Sequence, residues 1–133
     1  MTTPITIVSF TILFLLYQIL AVNVIMYRRN NKISLGDSSD NILLRKIRMH
    51  GNFAEYAPFG IFTIFLLEYN SVGFTPTILV ASAFILSRFL HPYSLSTHNK
   101  LGALRPVSMA LTFTSITVGL VMLVFSLFTS IPS

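Results

Sequence analysis

Residues 48–58 read R-M-H-G-N-F-A-E-Y-A-P, and this stretch decides how the rest of the chain is interpreted. On a helix, Arg48, Asn52 and Glu55 lie at positions i, i+4 and i+7, so their side chains share one stripe. The residues between and after them are mostly apolar and typical of a membrane helix. A carboxylate inside a membrane costs roughly 2.5–3.5 kcal/mol on insertion scales, so we expect Glu55 to have a partner and a function.

The composition indicates an integral membrane protein. Of the 133 residues, 53% are hydrophobic and 10% are charged, and the mean hydropathy is +0.75. Soluble domains average about 25% charged residues, so the chain does not have the composition of a soluble domain. It contains no cysteine, which excludes a disulfide framework and a cysteine nucleophile.

Four apolar stretches are long enough to cross a membrane: residues 5–27, 43–68, 75–92 and 104–131. A signal peptide would need a basic start and a shorter apolar core than the first stretch has, so a true span is favoured there. Pro92 is expected to end the third span. Thr112, Ser115 and Gly119 in the fourth are typical of a close-packing face. We therefore predict one domain over residues 1–133, an all-α bundle of four transmembrane helices.

The basic residues determine the predicted topology. All nine Lys and Arg residues lie in or beside the first and third loops, and both termini and the second loop have none. The positive-inside rule therefore puts loops one and three in the cytoplasm and both chain ends outside. This distribution also explains the pI of about 10.0, so we expect no nucleic-acid partner. We expect no metal site either.

Three cations, Arg45, Lys46 and Arg48, open the second helix, where they oppose the positive end of the helix dipole. Cytoplasmic anchoring is one explanation. The other is that the helix N-terminus, with these added cations, collects an anionic ligand. Three residues could each cap this helix: Ser39, Asp40 or Asn41.

Polar residues from three spans are expected to meet at the cytoplasmic end of the bundle, namely Arg48, Asn52, Glu55, Arg88, His91, Tyr93 and Arg105. This set has several cations and one carboxylate. It suits a small, mostly anionic molecule that also carries an ammonium group, with arginines for its carboxylates and Glu55 for its amine. The alternative is an internal salt bridge from Glu55 to Arg88 or Arg105 that only ties the bundle together.

Two motifs resemble those of the MAPEG family, membrane-associated proteins in eicosanoid and glutathione metabolism. The first is R-x3-N-x2-E-Y-x-P, formed here by Arg48, Asn52, Glu55, Tyr56 and Pro58. The second is R-F-L-H-P-Y at residues 88–93, which is similar to the R-x2-H-x-Y pattern of bacterial members. With four spans of similar length, the resemblance covers nearly the whole chain.

The resemblance implies a homotrimer of four-helix subunits in a bacterial inner membrane, with glutathione held between neighbours near the cytoplasmic face. The implied glutathione-binding residues are Arg48, Asn52, Glu55, Tyr56, Arg88, His91 and Tyr93, with Arg28 or Arg29 reaching in from the adjacent subunit. Arg105 resembles the family's arginine at the start of helix four and is the implied catalytic residue, because a nearby guanidinium favours the thiolate over the thiol. The implied activity is a glutathione transferase or peroxidase acting on a lipophilic electrophile from the bilayer.

Three positions depart from the family's prostaglandin synthase. Pro106 stands where that enzyme has a serine, Gly51 where it has a basic residue, and Leu95 in the region of the more distant tyrosine of the mammalian enzymes. Conjugation or peroxide reduction is therefore expected rather than prostaglandin isomerisation. A proton-coupled exporter would need an acid in span one, which has none. A non-catalytic bundle for assembly or lipid binding, or an inactive binder of glutathione-like molecules, stays open.

Overall fold

The computed structural model describes residues 2–96 and 103–130, except for the side chains of 129 and 130. Four helices account for most of these residues: α1 (Pro4–Asn30), α2 (Asn41–Tyr69), α3 (Phe74–Ser96) and α4 (Leu104–Ser130). This is the predicted all-α membrane bundle. By length and composition α1, α3 and α4 are each able to cross a membrane. α2 is longer, with 29 residues, but it carries five charged side chains. Lys100 of the third loop lies outside the described residues.

α2 is one of two central helices of the bundle. Like α3, it packs against each of the other three helices, whereas α1 and α4 share no contact within the described residues. The core lies along this helix, where Phe53 and Ile64 meet Leu13 and Leu16 of α1 and Phe84 of α3. Because α2 contacts every partner, its polar side chains can meet groups from all parts of the fold.

Small residues allow α4 and α2 to approach their neighbours closely. Thr112 and Ser115 are buried, and a Cβ added to Gly119 would lie 2.6 Å from Thr63 Cγ2 of α2. On α2 itself, a Cβ added to Gly60 would overlap the ring of Phe84. The predicted close-packing face of span four is therefore confirmed.

Helix α3 ends later than predicted. The prediction that Pro92 ends the third span is wrong, because α3 continues through Pro92 to Ser96. Proline removes one hydrogen bond from a helix, but packing against neighbouring helices can hold the chain in place. Arg88 and His91, which precede the proline, are both buried in the bundle. That packing overrides the local preference for a break.

Asp40 is the residue that caps α2. Its Oδ1 accepts hydrogen bonds from the backbone amides of Ile42 (2.7 Å) and Leu43 (3.1 Å), and its Oδ2 accepts from the Tyr27 hydroxyl at 2.8 Å. The Leu43 amide, followed by the Tyr27 hydroxyl, lowers the pKa of the Asp40 carboxyl below its ordinary value. Since the two amides already have an acceptor, an anion at this end of α2 would have to bind side chains.

Glu68 caps a different helix from the one on which it lies. Its carboxylate accepts from the backbone amides of Ile5 (2.9 Å) and Thr6 (2.8 Å) and from Thr6 Oγ1 (2.8 Å), in the first turn of α1. Thr3, the residue at the N-cap position, makes no side-chain capping bond, and Pro4 has no amide hydrogen to satisfy. The end of α2 is thereby joined to the start of α1.

Candidate functional site

A polar cavity of about 610 Å³ lies at the end of the bundle where loop one joins α1 and α2. Its size falls within the range of small-molecule sites, roughly 300–1,000 Å³. All four helices and loop one contribute to its walls. The lining residues are Arg28, Gly36, Asp37, Leu44, Ile47, Arg48, Gly51, Asn52, Glu55, His91, Leu95 and Arg105.

The cavity carries both signs of charge. Arg28, Arg48 and Arg105 supply three guanidinium groups from three different helices, and Asp37 and Glu55 supply two carboxylates. With a neutral imidazole, the lining has a net charge of +1. Such a lining can bind a molecule that carries carboxylates and an ammonium group together.

Glu55 is exposed at this cavity and has no partner among the residues that the structure describes. Among residues 2–96 and 103–130, no group donates a hydrogen bond to it and no cation lies within 4.0 Å of it. The internal salt bridge to Arg88 or Arg105 is therefore absent from the described part of the chain. The Glu55 carboxylate, which is costly to place inside a membrane, is therefore accessible to a ligand.

An unpartnered nitrogen of Arg28 also indicates that this cavity binds a ligand. Arg28 lies in the last turn of α1 and lines the cavity of its own chain. Its Nη1 atom is buried, and no described residue accepts a hydrogen bond from it. Arg29, the next residue, is exposed and lies outside the lining. An unpartnered buried guanidinium nitrogen beside a cavity marks a position where an anionic oxygen would be stabilised.

Arg88 lies behind the cavity wall and does not line it. Only 1% of the residue is exposed. Its guanidinium donates to Asn52 Oδ1 at 3.1 Å, to Ser87 Oγ at 3.3 Å and to Thr112 Oγ1. The same group lies 5.5 Å from the centre of the Tyr56 ring. Arg88 therefore fixes Asn52 and Tyr56 in place.

His91 is held by the first turn of α4. Its Nδ1 lies 3.2 Å from Ser108 Oγ, and Ser108 donates its own hydrogen to the Arg105 carbonyl at 2.8 Å. Since Ser108 has only one hydrogen to donate, this arrangement has His91 Nδ1–H as the donor to Ser108. The Nε2 atom of His91 then remains as a hydrogen-bond acceptor without a partner in the described chain, and the residue lines the cavity.

The two tyrosines of the predicted site also lie outside the lining. Tyr56 is half-buried and packs edge-on against Phe113 with ring centres 5.4 Å apart. Tyr93 is 54% exposed on the outer face of α3. The cavity thus brings together Arg28, Arg48, Asn52, Glu55, His91 and Arg105, and it leaves out Arg29, Tyr56, Arg88 and Tyr93.

Several lining residues were missed by sequence reasoning. Asp37 adds a second carboxylate from loop one, where its Oδ1 accepts from the Ser39 amide at 3.1 Å. A Gly-Asp pair in a loop gives no signal of its position in space. Leu44 and Ile47 could have been found by extending the polar stripe of α2 toward its start, since residues 44, 47, 48, 51 and 55 share one helix face.

No curated protein and no solved structure matches this chain. The model of one family, MAPEG, matches residues 6–125, which is nearly the whole chain and includes both polar motifs. The chain therefore belongs to the MAPEG family, and it is an integral membrane protein of the glutathione and eicosanoid metabolism kind.

Proposed function

We propose that this protein is a glutathione-dependent transferase or peroxidase that acts on lipophilic electrophiles from the bilayer, with glutathione bound in the polar cavity. One observation carries the proposal. Glu55 faces a cavity that holds three guanidinium groups, yet it pairs with none of them. A carboxylate that shares a cavity with three cations but pairs with none of them is consistent with a ligand that lies between them.

Glutathione matches the cavity in charge. At neutral pH it carries two carboxylates, one ammonium and a thiol, so its net charge is −1 against +1 for the lining. Arg28 and Arg48 would bind the carboxylates, and Glu55 would bind the ammonium. His91 Nε2 would accept a hydrogen bond from an N–H group of the tripeptide.

Arg105 is the residue that we assign to the thiol. It lies in the first turn of α4 with its side chain exposed at the cavity. A free thiol has a pKa of about 8.5, so only about 3% is thiolate at pH 7. A guanidinium beside the sulfur stabilises the anion, and each unit by which the pKa falls raises the thiolate fraction up to tenfold.

Two reactions follow from a bound thiolate. In conjugation, sulfur forms a bond to the electrophilic carbon while the leaving group departs with its electron pair. In peroxide reduction, sulfur attacks the O–O bond and releases an alcohol, and a second thiol then gives a disulfide and water. Both need the same alignment of sulfur at Arg105 and access from the membrane.

The proposal includes a homotrimer in a bacterial inner membrane, with loops one and three in the cytoplasm and both termini outside. Glu55 and Arg48 are exposed in a single subunit, which is consistent with a neighbour that completes the cavity wall. The nine basic residues support the orientation. Light scattering of the detergent complex tests the trimer, and protease access to loop one in sealed vesicles tests the topology.

Thermal unfolding in detergent tests glutathione binding. Millimolar glutathione should raise the midpoint by several degrees, because a ligand that binds only the folded state stabilises it. Ophthalmic acid, which replaces the thiol by a methyl group, should give a similar shift without a thiolate absorbance near 240 nm. If neither tripeptide shifts the midpoint, the non-catalytic bundle is the better description.

Arg105→Gln separates binding from activation. We expect glutathione to bind the variant within about threefold of the parent, because Arg28, Arg48 and Glu55 remain. The thiolate absorbance and the conjugation rate should fall at least tenfold at pH 7, since the guanidinium that favours the anion is gone. Lys32→Gln removes one positive charge from exposed loop one and serves as the matched control. A variant with undiminished thiolate absorbance would exclude Arg105 from the assigned function.

A further inference from the structure

A second cavity, of about 290 Å³, opens at the same end of the bundle, between α1, the start of α2 and the end of α3. It lies on a different face of α2 from the polar cavity, and the two share only Leu95 among their lining residues. Its lining residues are Leu20, Asn23, Ile42, Arg45, Lys46, Met49, Leu95 and Ser96.

The charge of this second cavity differs from that of the first. Among the described residues, Arg45 and Lys46 line it and no carboxylate does, so the described lining has a formal charge of +2. Lys46 Nζ lies 5.6 Å from the centre of the Tyr27 ring, a contact that holds the ammonium in place through the π face. An anion can therefore bind here, but an ammonium group would find no acidic partner.

Asn23 adds an unexplained polar group. It lies in the apolar part of α1, where Gln18 is the other strongly polar side chain, and it makes no side-chain hydrogen bond with a described residue. Ile19 and Met26, one turn away on either side along the same stripe, are exposed and apolar. An amide in such a setting is costly unless it has a partner, and it lies at the cavity that holds the two cations.

The remaining walls are apolar. Leu20 and Met49 form part of them, and Ile42, which is 50% exposed, continues the apolar surface to the outside of the bundle. A free inorganic anion would gain nothing from these groups. A lipid whose headgroup binds the cations while its acyl chains follow the exposed side of α1 would use both parts of the lining.

We propose that the second cavity binds the phosphate headgroup of an anionic phospholipid without an ammonium group, in the leaflet on the side of loop one. Arg45, Lys46 and the Asn23 amide donate to the phosphate oxygens. Leu20 and Met49 contact the glycerol and the first part of the acyl chains. Because the described lining has no acidic residue, phosphatidylglycerol is a better ligand than phosphatidylcholine, whose choline would have no anionic partner there.

Native mass spectrometry of the detergent-purified protein tests this proposal with three probes: phosphatidylglycerol, phosphatidylcholine of the same acyl chains, and inorganic phosphate. We expect phosphatidylglycerol to bind at least tenfold more tightly than phosphatidylcholine, with the ratio falling as salt is added. Equal binding of the two lipids would overturn the proposal. So would displacement of bound phosphatidylglycerol by millimolar phosphate, because the site would then be one for free anions.

Substitutions in the lining test where the lipid binds. Arg45→Gln with Lys46→Gln should reduce phosphatidylglycerol binding at least tenfold, whereas Lys32→Gln, which removes a cation from exposed loop one, should leave it within twofold. Asn23→Leu keeps both cations and should weaken binding by a few-fold. This variant tests the site even if the double variant does not fold. A loss of binding in Lys32→Gln equal to that in the double variant would show diffuse attraction and no site. None of these side chains lines the polar cavity, so the outcome is independent of glutathione binding.

Discussion

The two acidic residues of α2 have opposite surroundings. Glu55 and Glu68 are thirteen residues apart, roughly 20 Å along the helix, yet Glu68 accepts three hydrogen bonds from the first turn of α1 while Glu55 accepts none from the described residues. Glu68 also faces the positive end of a helix dipole. Glu55 faces a cavity with three arginines, none of them within ion-pair distance.

This difference indicates that two acidic residues of one helix have separate roles, a structural one for Glu68 and a proposed ligand-binding one for Glu55. Folding satisfies the carboxylate of Glu68 with backbone amides that would otherwise lack acceptors, so this residue stabilises the bundle. The carboxylate of Glu55 accepts no hydrogen bond from the described residues, and we propose that it binds a ligand instead. Substitutions at the two positions should therefore affect different measurements.

Glu68→Ala should give the largest loss of stability. It leaves two amides of α1 without acceptors and removes a half-buried carboxylate that accepts three hydrogen bonds. We expect a loss of about 2–4 kcal/mol, which is roughly 6–15 °C in the unfolding midpoint. Glu68→Gln keeps one acceptor oxygen and should lose about half as much. Unchanged midpoints in both variants would show that the cap contributes nothing.

Glu55→Gln should spare stability and reduce binding. We expect the unfolding midpoint without ligand to stay within about 2 °C, because no described group bonds to the carboxylate. Affinity for glutathione should fall roughly 10–100-fold with the loss of a charge-assisted bond to the ammonium. The matched control is N-acetylglutathione, which has no ammonium and should bind parent and variant equally. An equal loss for both ligands would remove the assigned pairing.

The two glycines of α2 give a second comparison between its two regions. Gly51 lines the cavity and a Cβ there meets nothing within 4 Å, so Gly51→Ala should stabilise the helix by about 0.5–1 kcal/mol. Gly60 contacts the buried ring of Phe84, so Gly60→Ala should cost about 1–3 kcal/mol through overpacking. Thermal unfolding of the two variants checks the signs, and two shifts of the same sign would contradict this division.

Sequence reasoning could predict the four helices and much of the polar cavity. Hydrophobic length shows a span directly, and the spacing of Arg48, Asn52 and Glu55 already places them on one helix face. The fate of Glu68 was not predictable, because its partners are amides 62 and 63 residues away in the chain. Backbone amides are present at every helix start and leave no mark in the sequence.

Arg88 shows a second limit of sequence reasoning. The sequence does not tell which of Arg88 and Arg105 reaches the cavity, because both were expected at the cytoplasmic end of the bundle. In the structure Arg88 is sealed behind Asn52 and Thr112, while Arg105 is exposed at the first turn of α4. Depth within a bundle depends on how the helices rotate about their axes, and that rotation is set by the packing of all four together.

Substitution of Asp40 should give the smallest effect. Asp40 caps its own helix, whereas Glu68 caps a different one. Its pKa is lowered by the Leu43 amide and the Tyr27 hydroxyl, so its carboxylate stabilises the fold at pH values above its ordinary pKa of 3.8. That contribution disappears as the pH falls through the lower pKa of the folded state. Asp40→Asn keeps a capping oxygen but does not titrate. The parent should therefore unfold at a higher temperature than Asp40→Asn at pH 6, and the two midpoints should converge below pH 4. Because every other carboxylate titrates in both proteins, a difference that stays constant from pH 6 to pH 3 would mean that the Asp40 charge has no effect on the fold.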